Sequence, residues 1–180
     1  MKNKFLLLAI AILIFAMRSV AQVTGSFTDP RDGKVYKTVK IGDQIWMAEN
    51  LKYETTSGSW CYENNPSDCS KYGVMYDWET AKNIAPAGWH LPSEGEWMLF
   101  LMVTGGAIGD LQAGGSSGFN ALYGGIRSRT GDFHFSRVCF WSSSEDDDGA
   151  RHLEMLFDDE KAYMQSDDAG DGYYVRLVKD

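Results

Sequence analysis

Acidic side chains are the most conspicuous candidate chemistry in this chain of 180 residues. Glu145-Asp146-Asp147-Asp148-Gly149 follows Trp141-Ser142-Ser143-Ser144, and Asp158-Asp159-Glu160, Asp167-Asp168 and Asp171 come later. Oxygen-rich loops of this kind suit Ca²⁺, a hard cation that takes about six to eight oxygen ligands. Asp146, Asp147 and Asp148 are therefore the candidate Ca²⁺ ligands. The competing reading is solvated turns that carry the net charge. None of the clusters has the EF-hand register.

The other reactive types are sparse. His90, His134 and His152 are scattered, and none stands beside a nucleophile motif. The chain has no Gly-x-Ser-x-Gly and no His-Glu-x-x-His, so each His reads as a local hydrogen-bonding residue. Glycoside hydrolysis needs two carboxyls at a set separation in a cleft, and 25 acids make chance pairs abundant. No residue is therefore assigned a catalytic role. The three Cys give no zinc spacing and no Cys-x-x-Cys pair. Cys61 and Cys69 flank a turn-rich segment, and a bridge between them closes a short loop worth about 2 kcal/mol in the chain-entropy model. Cys139, inside Val138-Cys139-Phe140-Trp141, reads as a small buried hydrophobe.

Nine of the 19 Gly fall between Gly105 and Gly131. Their spacing fits neither Gly-x-Gly-x-x-Gly nor a phosphate-binding loop. The stretch reads as a long, partly irregular loop, and such loops are usually functional or mobile. With the Ser142 to Asp148 loop it makes the expected contact surface. Arg127, Arg129, Trp141 and Asp146 are its candidate ligand contacts, because Arg and Trp are common interface anchors.

What must position these groups is one domain. Lys2 and Lys4, the apolar run Phe5 to Phe15 and Ser19-Val20-Ala21 make a secretory signal pattern, with cleavage expected after Ala21. The run is too short to span a bilayer comfortably, so no membrane span is expected after cleavage. Residues 22–180 form the mature domain, which is long enough for one core. Removing the leader takes away Lys2, Lys4, Arg18 and no acid, so the net charge moves from −8 to about −11. Such a surface repels phosphate backbones and excludes nucleic acid as a natural partner.

Within the domain, Lys34 to Ile41 and Gln44 to Ala48 around Gly42-Asp43 predict a β-hairpin, with Val35, Val39 and Ile41 on one side. Gln22 to Asp32 reads as polar turns, and Ser57 to Tyr72 as a loop. Gly73 to Asp77 suggests a short strand, and Trp78 to Ile84 a helix ended by Pro86 and Gly88. Ser93 and Glu96 form a capping box that starts a second helix. Its apolar face comprises Trp97, Met98, Leu101, Met102 and Val103, and Gly105-Gly106 stops it. Phe133 to Ser142 reads as a core strand, Leu153 to Phe157 and Lys161 to Gln165 as a second hairpin, and Tyr173 to Val178 as a final strand. Two central helices among many short strands define an α+β domain.

Several blocks resemble a known family. These are Thr38-Val39-Lys40-Ile41-Gly42-Asp43-Gln44-Ile45-Trp46-Met47-Ala48-Glu49-Asn50-Leu51, then Cys61-Tyr62 through Cys69, and Tyr72 to Trp78. Ala85-Pro86-Ala87-Gly88-Trp89-His90-Leu91-Pro92-Ser93, Gly118-Phe119-Asn120-Ala121-Leu122, Phe140 to Glu145 and Arg176 to Asp180 follow in order. Together they resemble the Fibrobacter succinogenes major paralogous domain family across the mature chain. One departure is Leu177, where the family usually has Cys. The resemblance implies export and a surface role without an established enzymatic activity. It also implies a fold similar to C-type lectins and formylglycine-generating enzymes, with two short helices, several short antiparallel strands and long loops. Neither the copper-binding Cys pair of those enzymes nor the sugar-binding motifs of those lectins occurs here, so neither activity carries over. The expected function is an exported, non-catalytic module for an extracellular glycan or protein. The alternatives are a structural subunit of a surface complex and a hydrolase of extracellular polymers.

Overall fold

Gly42 takes φ +60°, a value that glycine adopts without strain, and this lets a two-residue turn join Ile41 to Gln44. The hairpin expected from the alternation is thereby closed. A computed structural model of the chain describes residues 23–180; the expected leader lies outside them. The strands are β1 (Thr24–Thr28), β2 (Val35–Ile41), β3 (Gln44–Met47), β4 (Ser59–Trp60), β5 (Met75–Tyr76), β6 (Trp89–His90), β7 (Ile126–Arg127), β8 (Phe133–His134), β9 (Arg137–Asp146), β10 (Gly149–Leu156), β11 (Tyr163–Asp167), β12 (Tyr173–Tyr174) and β13 (Val178–Lys179). The helices are α1 (Pro66–Tyr72), α2 (Trp78–Asn83), α3 (Glu94–Thr104) and α4 (Ile108–Leu111). None of the described helices is long and apolar enough to cross a membrane.

Two sheets carry the α+β architecture. One runs β1-β2-β3-β13-β6, the other β11-β10-β9-β12-β5-β4, and β7 pairs with β8 separately. The central strands of the two main sheets bury both faces, while residues of the edge strands β1 and β11 are exposed or half-buried, and period-2 alternation sends successive residues to opposite sides. Thus Met47, Cys139, Trp141, Tyr173 and Leu177 enter one core cluster. Their neighbours Trp46, Val138, Phe140, Tyr174 and Val178 enter the other. This explains why Val138 to Trp141 reads as a continuous apolar run instead of an alternating one. In β2, Tyr36 faces the first cluster and Val39 and Ile41 the second, while Val35 is exposed.

The capping box forms as predicted: Ser93 Oγ accepts from the Glu96 N–H and Glu96 Oε2 from the Ser93 N–H, and Gly105 ends α3 in the left-handed region. The helix buries Trp97 and Phe100, however, and leaves Met98, Leu99, Met102 and Val103 exposed. The apolar face is therefore narrower than expected and includes Phe100.

Other expectations are corrected. Residues 22–32 contain β1, held by pairing with β2. The expected loop at 57–72 contains β4 and α1, which starts where Asn65 caps the Ser67 N–H ahead of Pro66 at the first helical position. The Gly-rich stretch contains α4 and β7 and is pinned by buried Ile108, Leu111, Phe119, Ala121 and Ile126. The run Phe133 to Ser142 divides into β8 and β9, and β9 extends through Glu145 and Asp146 to pair with β10. The predicted hairpin of Leu153 and Gln165 is present as β10 and β11. The final strand splits into β12 and β13, which belong to different sheets.

Candidate functional site

The segment that crosses between the sheets, Val175 to Leu177, positions the most unusual charge in the molecule. The carbonyls of Val175 and Leu177 accept from the Leu51 and Met47 N–H groups at 3.0 and 2.9 Å. Val175 and Leu177 pack into one core cluster, and alternation turns Arg176 the other way. The Arg176 side chain is fully buried. Its Nε donates to Asn50 Oδ1 at 2.5 Å, Nη1 to the Met47 and Phe119 carbonyls at 3.0 and 2.5 Å, and Nη2 to the Asn120 carbonyl at 3.0 Å. All four acceptors are neutral, and Arg176 makes no ion pair among the described residues. Burial lowers its pKa, and the Glu49 carboxylate alone opposes that shift. The carbonyl dipoles hold it as a cation, since a guanidinium does not give up its proton in a protein.

The groups around Arg176 are themselves fixed. Asn50 Nδ2 donates to the Tyr72 carbonyl at 2.6 Å, which ties the end of α1 to the strand side. Gly73 follows at φ +94°, where an added Cβ would lie 2.5 Å from Asn50 Cβ. Asn120 sits at φ +52°, a conformation that Asn tolerates, and its amide bonds the Gly118 carbonyl and Gly114 N–H.

Above Arg176 opens a cleft of about 280 Å³, lined by Lys37, Lys52, Lys71, Glu49, Asn50, Tyr72 and Asn120 among others. Four cationic groups thus face one carboxylate, in a chain of net charge −8. Glu49 already accepts the Lys37 backbone N–H at 2.7 Å. Lys71 Nζ donates to Tyr72 Oη at 2.7 Å and lies 4.4 Å from that ring's centre. Lys37 also lines a neighbouring depression of about 310 Å³ with Thr38, Gly118 and Asn120, and Lys52 another of about 430 Å³ with Lys34 and Glu54. The cleft over Arg176 shares Lys37, Ala48 and Asn120 with the first of these and Lys52 with the second, so lysines line a row of adjoining depressions, a lysine groove. Such a groove offers an extended anion several charge contacts, with a buried positive charge at its floor.

The four candidate contacts from the sequence do not come together. Arg127 stacks its guanidinium 4.1 Å from the centre of the Trp60 ring. Arg129 is nearby, with Nη1 on Asp168 Oδ2 at 2.7 Å and its N–H on Asp171 Oδ1 at 2.6 Å. Trp141 is wholly buried, and its indole N–H donates to the Tyr76 carbonyl at 2.7 Å. The apolar run that made it conspicuous is core, so it cannot touch a ligand. Asp146 lies at the β9–β10 turn, where it accepts from Ser166 Oγ at 2.8 Å and Arg151 Nη1 at 3.0 Å and caps the N–H groups of Asp148 and Gly149. Asp147 and Asp148 are exposed beside it, and the three carboxylates do not converge into a ligand set among the described residues.

The expected disulfide is present between Cys61 and Cys69, and Cys139 is free and buried. His90 is clamped by two carboxylates, Nδ1 on Asp180 at 2.6 Å and Nε2 on Glu96 at 2.8 Å, so neither nitrogen is open to a substrate. The groove residues were invisible as a motif because they are spread from Lys37 to Arg176. The only signal was indirect: Glu49, Asn50, Asn120 and Arg176 all sit in blocks that carry the family resemblance.

The family model of the Fibrobacter succinogenes major domain matches residues 39–179. No curated protein matches the chain, and no solved structure does.

Proposed function

The chain belongs to the Fibrobacter succinogenes major domain family, and from that premise we propose that it is an exported, non-catalytic binding module for an acidic glycan, held along the lysine groove over Arg176. The observation that carries this reading is the buried guanidinium with only neutral partners at the floor of a lysine-lined cleft. On an acidic chain, a local concentration of positive charge raises the encounter rate with anions specifically at that place. Carboxylate and sulfate groups suit ammonium and guanidinium donors. Tyr72 adds a ring on the cleft wall. Export is supported by the disulfide, which persists in oxidising compartments. Two sheets of short strands with small helices support a C-type-lectin-like arrangement.

The test is binding of the mature protein to polygalacturonate and dextran sulfate, with neutral dextran as the control, at two salt concentrations. The expected result is retention by both acidic polymers, weakened by salt and by the pair Lys37→Glu and Lys52→Glu. Equal binding to neutral dextran, or no binding to either acidic polymer, overturns the reading. So does turnover of a polymer that a single acid-to-amide change abolishes.

A further inference from the structure

Cys139 and Glu154 are direct cross-strand partners on β9 and β10, and His152 is two residues from Glu154. The pleat therefore projects all three side chains from one face of the sheet. On β11, Asp167 is two residues beyond Gln165, the partner of His152, and falls on the same face. The donor atoms of Cys139, His152 and Glu154 lie within 4.8 Å of one another, and all three residues are buried. Cys139 Sγ is 3.7 Å from Glu154 Oε2.

A second observation points into this cluster. His152 is fully buried, and neither ring nitrogen has a hydrogen-bond partner. Asp167 Oδ2 stands 3.6 Å from Nε2, beyond hydrogen-bond reach, and is occupied by the Tyr173 hydroxyl at 2.5 Å. Buried imidazoles elsewhere are paired as a rule, so an unpartnered one among a thiol and carboxylates calls for a missing partner.

We propose that Cys139, His152 and Glu154 form a binding site for one zinc-like divalent cation, with Asp167 beside it. The donor set is sulfur, nitrogen and oxygen, which selects a borderline metal over Ca²⁺ or Mg²⁺. Charge supports the same conclusion. Arg137 pairs with Glu154 and lies 3.5 Å from Asp167. Before the ion binds, Cys139 is a neutral thiol and Arg137, Glu154 and Asp167 leave one negative charge; the divalent ion and the thiolate it creates bring the cluster to neutrality. Binding forms the metal–sulfur bond and releases the thiol proton to solvent. Asp167 and Arg137 are partly exposed and provide the approach from outside. The ion ties β9 to β10, one strand in from the β11 edge of the larger sheet.

Co²⁺ serves as the probe because its thiolate complexes absorb by sulfur-to-metal charge transfer. The mature protein, with its disulfide intact, is refolded with one equivalent of Co²⁺ and separately of Zn²⁺. The expected results are one bound ion per chain, a thiolate charge-transfer band, and a higher melting temperature with Zn²⁺. Cys139→Ser removes the band, His152→Gln weakens binding about tenfold or more, and His90→Gln changes neither. Cys139 is the one thiol outside the disulfide, so the wild-type spectrum alone decides the case even if a variant fails to fold. Folded protein that binds no Co²⁺, or binds it without a thiolate band, overturns the proposal.

Discussion

Phe119 holds Arg176 twice: its carbonyl accepts from Nη1 at 2.5 Å, and its ring centre lies 4.4 Å from the guanidinium carbon. The same guanidinium also binds the carbonyls of Met47 and Asn120, so one side chain fastens the end of β3 to the segment after α4. A lysine at this position presents a compact three-donor head that cannot match acceptors arranged around a planar fork. Arg176→Lys leaves buried carbonyls unpaired and is expected to cost about 3 kcal/mol or more, in the range for breaking a buried charged network. Urea unfolding followed by Trp fluorescence measures it, and a cost under about 1 kcal/mol would refute the fastening role.

The Cys61–Cys69 bridge spans eight positions and closes around the 3₁₀ turn at Tyr62–Asn64 and the start of α1. Loops this short gain little from cross-linking. The double change Cys61→Ser with Cys69→Ser is expected to lower stability by about 2 kcal/mol, leaving the chain folded. Because both thiols are removed, Cys139 has no new partner for exchange. Loss of all cooperative unfolding in the variant would show that the bridge does more than restrict the unfolded chain.

His90 offers a pH test. Burial alone would lower its pKa, but hydrogen bonds and charge from Glu96 and Asp180 outweigh that and raise it above the ordinary 6.5. Its folded-state pKa is therefore higher than its unfolded one. The stabilisation is fully present below pH about 6.5 and is lost as pH rises through the folded value. The ring is partly exposed, so solvent screening keeps the contribution to about 1 kcal/mol or less. NMR titration of the His90 ring should give a pKa above 6.5, and His90→Gln should flatten the fall in stability as pH rises above that value. A His90 pKa below the ordinary value would reverse the sign and defeat the account.

Local chemistry was legible in the sequence where a few neighbouring residues decide the structure. The capping box at Ser93 and Glu96, the Gly42-Asp43 turn and the short bridge at Cys61 all formed as their types and spacing required. Helix α1 was missed although Asn65-Pro66 is a cap followed by a first-turn proline, because the polar residues after it lack a buried stripe. Trp141 misled for a physical reason. As an Arg/Trp-type anchor beside the Ser142 to Asp148 loop it looked like a surface contact, but both faces of β9 are covered at this point, so Trp141 and the adjoining Ser142 are fully buried. The groove needed tertiary structure, since Lys37, Lys52, Lys71 and Arg176 come from four separate segments.

Helix α3 sets the sharpest contrast between apolar residues by type and by place. Trp97 has no exposure and packs its ring 4.8 Å from Trp46, 5.4 Å from Phe100 and 5.9 Å from Phe119, with its indole N–H on the Trp141 carbonyl at 3.3 Å. Met102, five residues on, is 73% exposed. Sequence alone put both on one apolar face. Trp97→Ala leaves a large cavity at the junction of four aromatic rings and is expected to cost about 3–5 kcal/mol. Met102→Glu removes no packing and should change stability by about 0.5 kcal/mol or less. Both follow from denaturant titration of the single variants. A large loss on Met102→Glu would mean that α3 presses this face against something in the folded protein, and the assignment of its buried side would have to be redrawn.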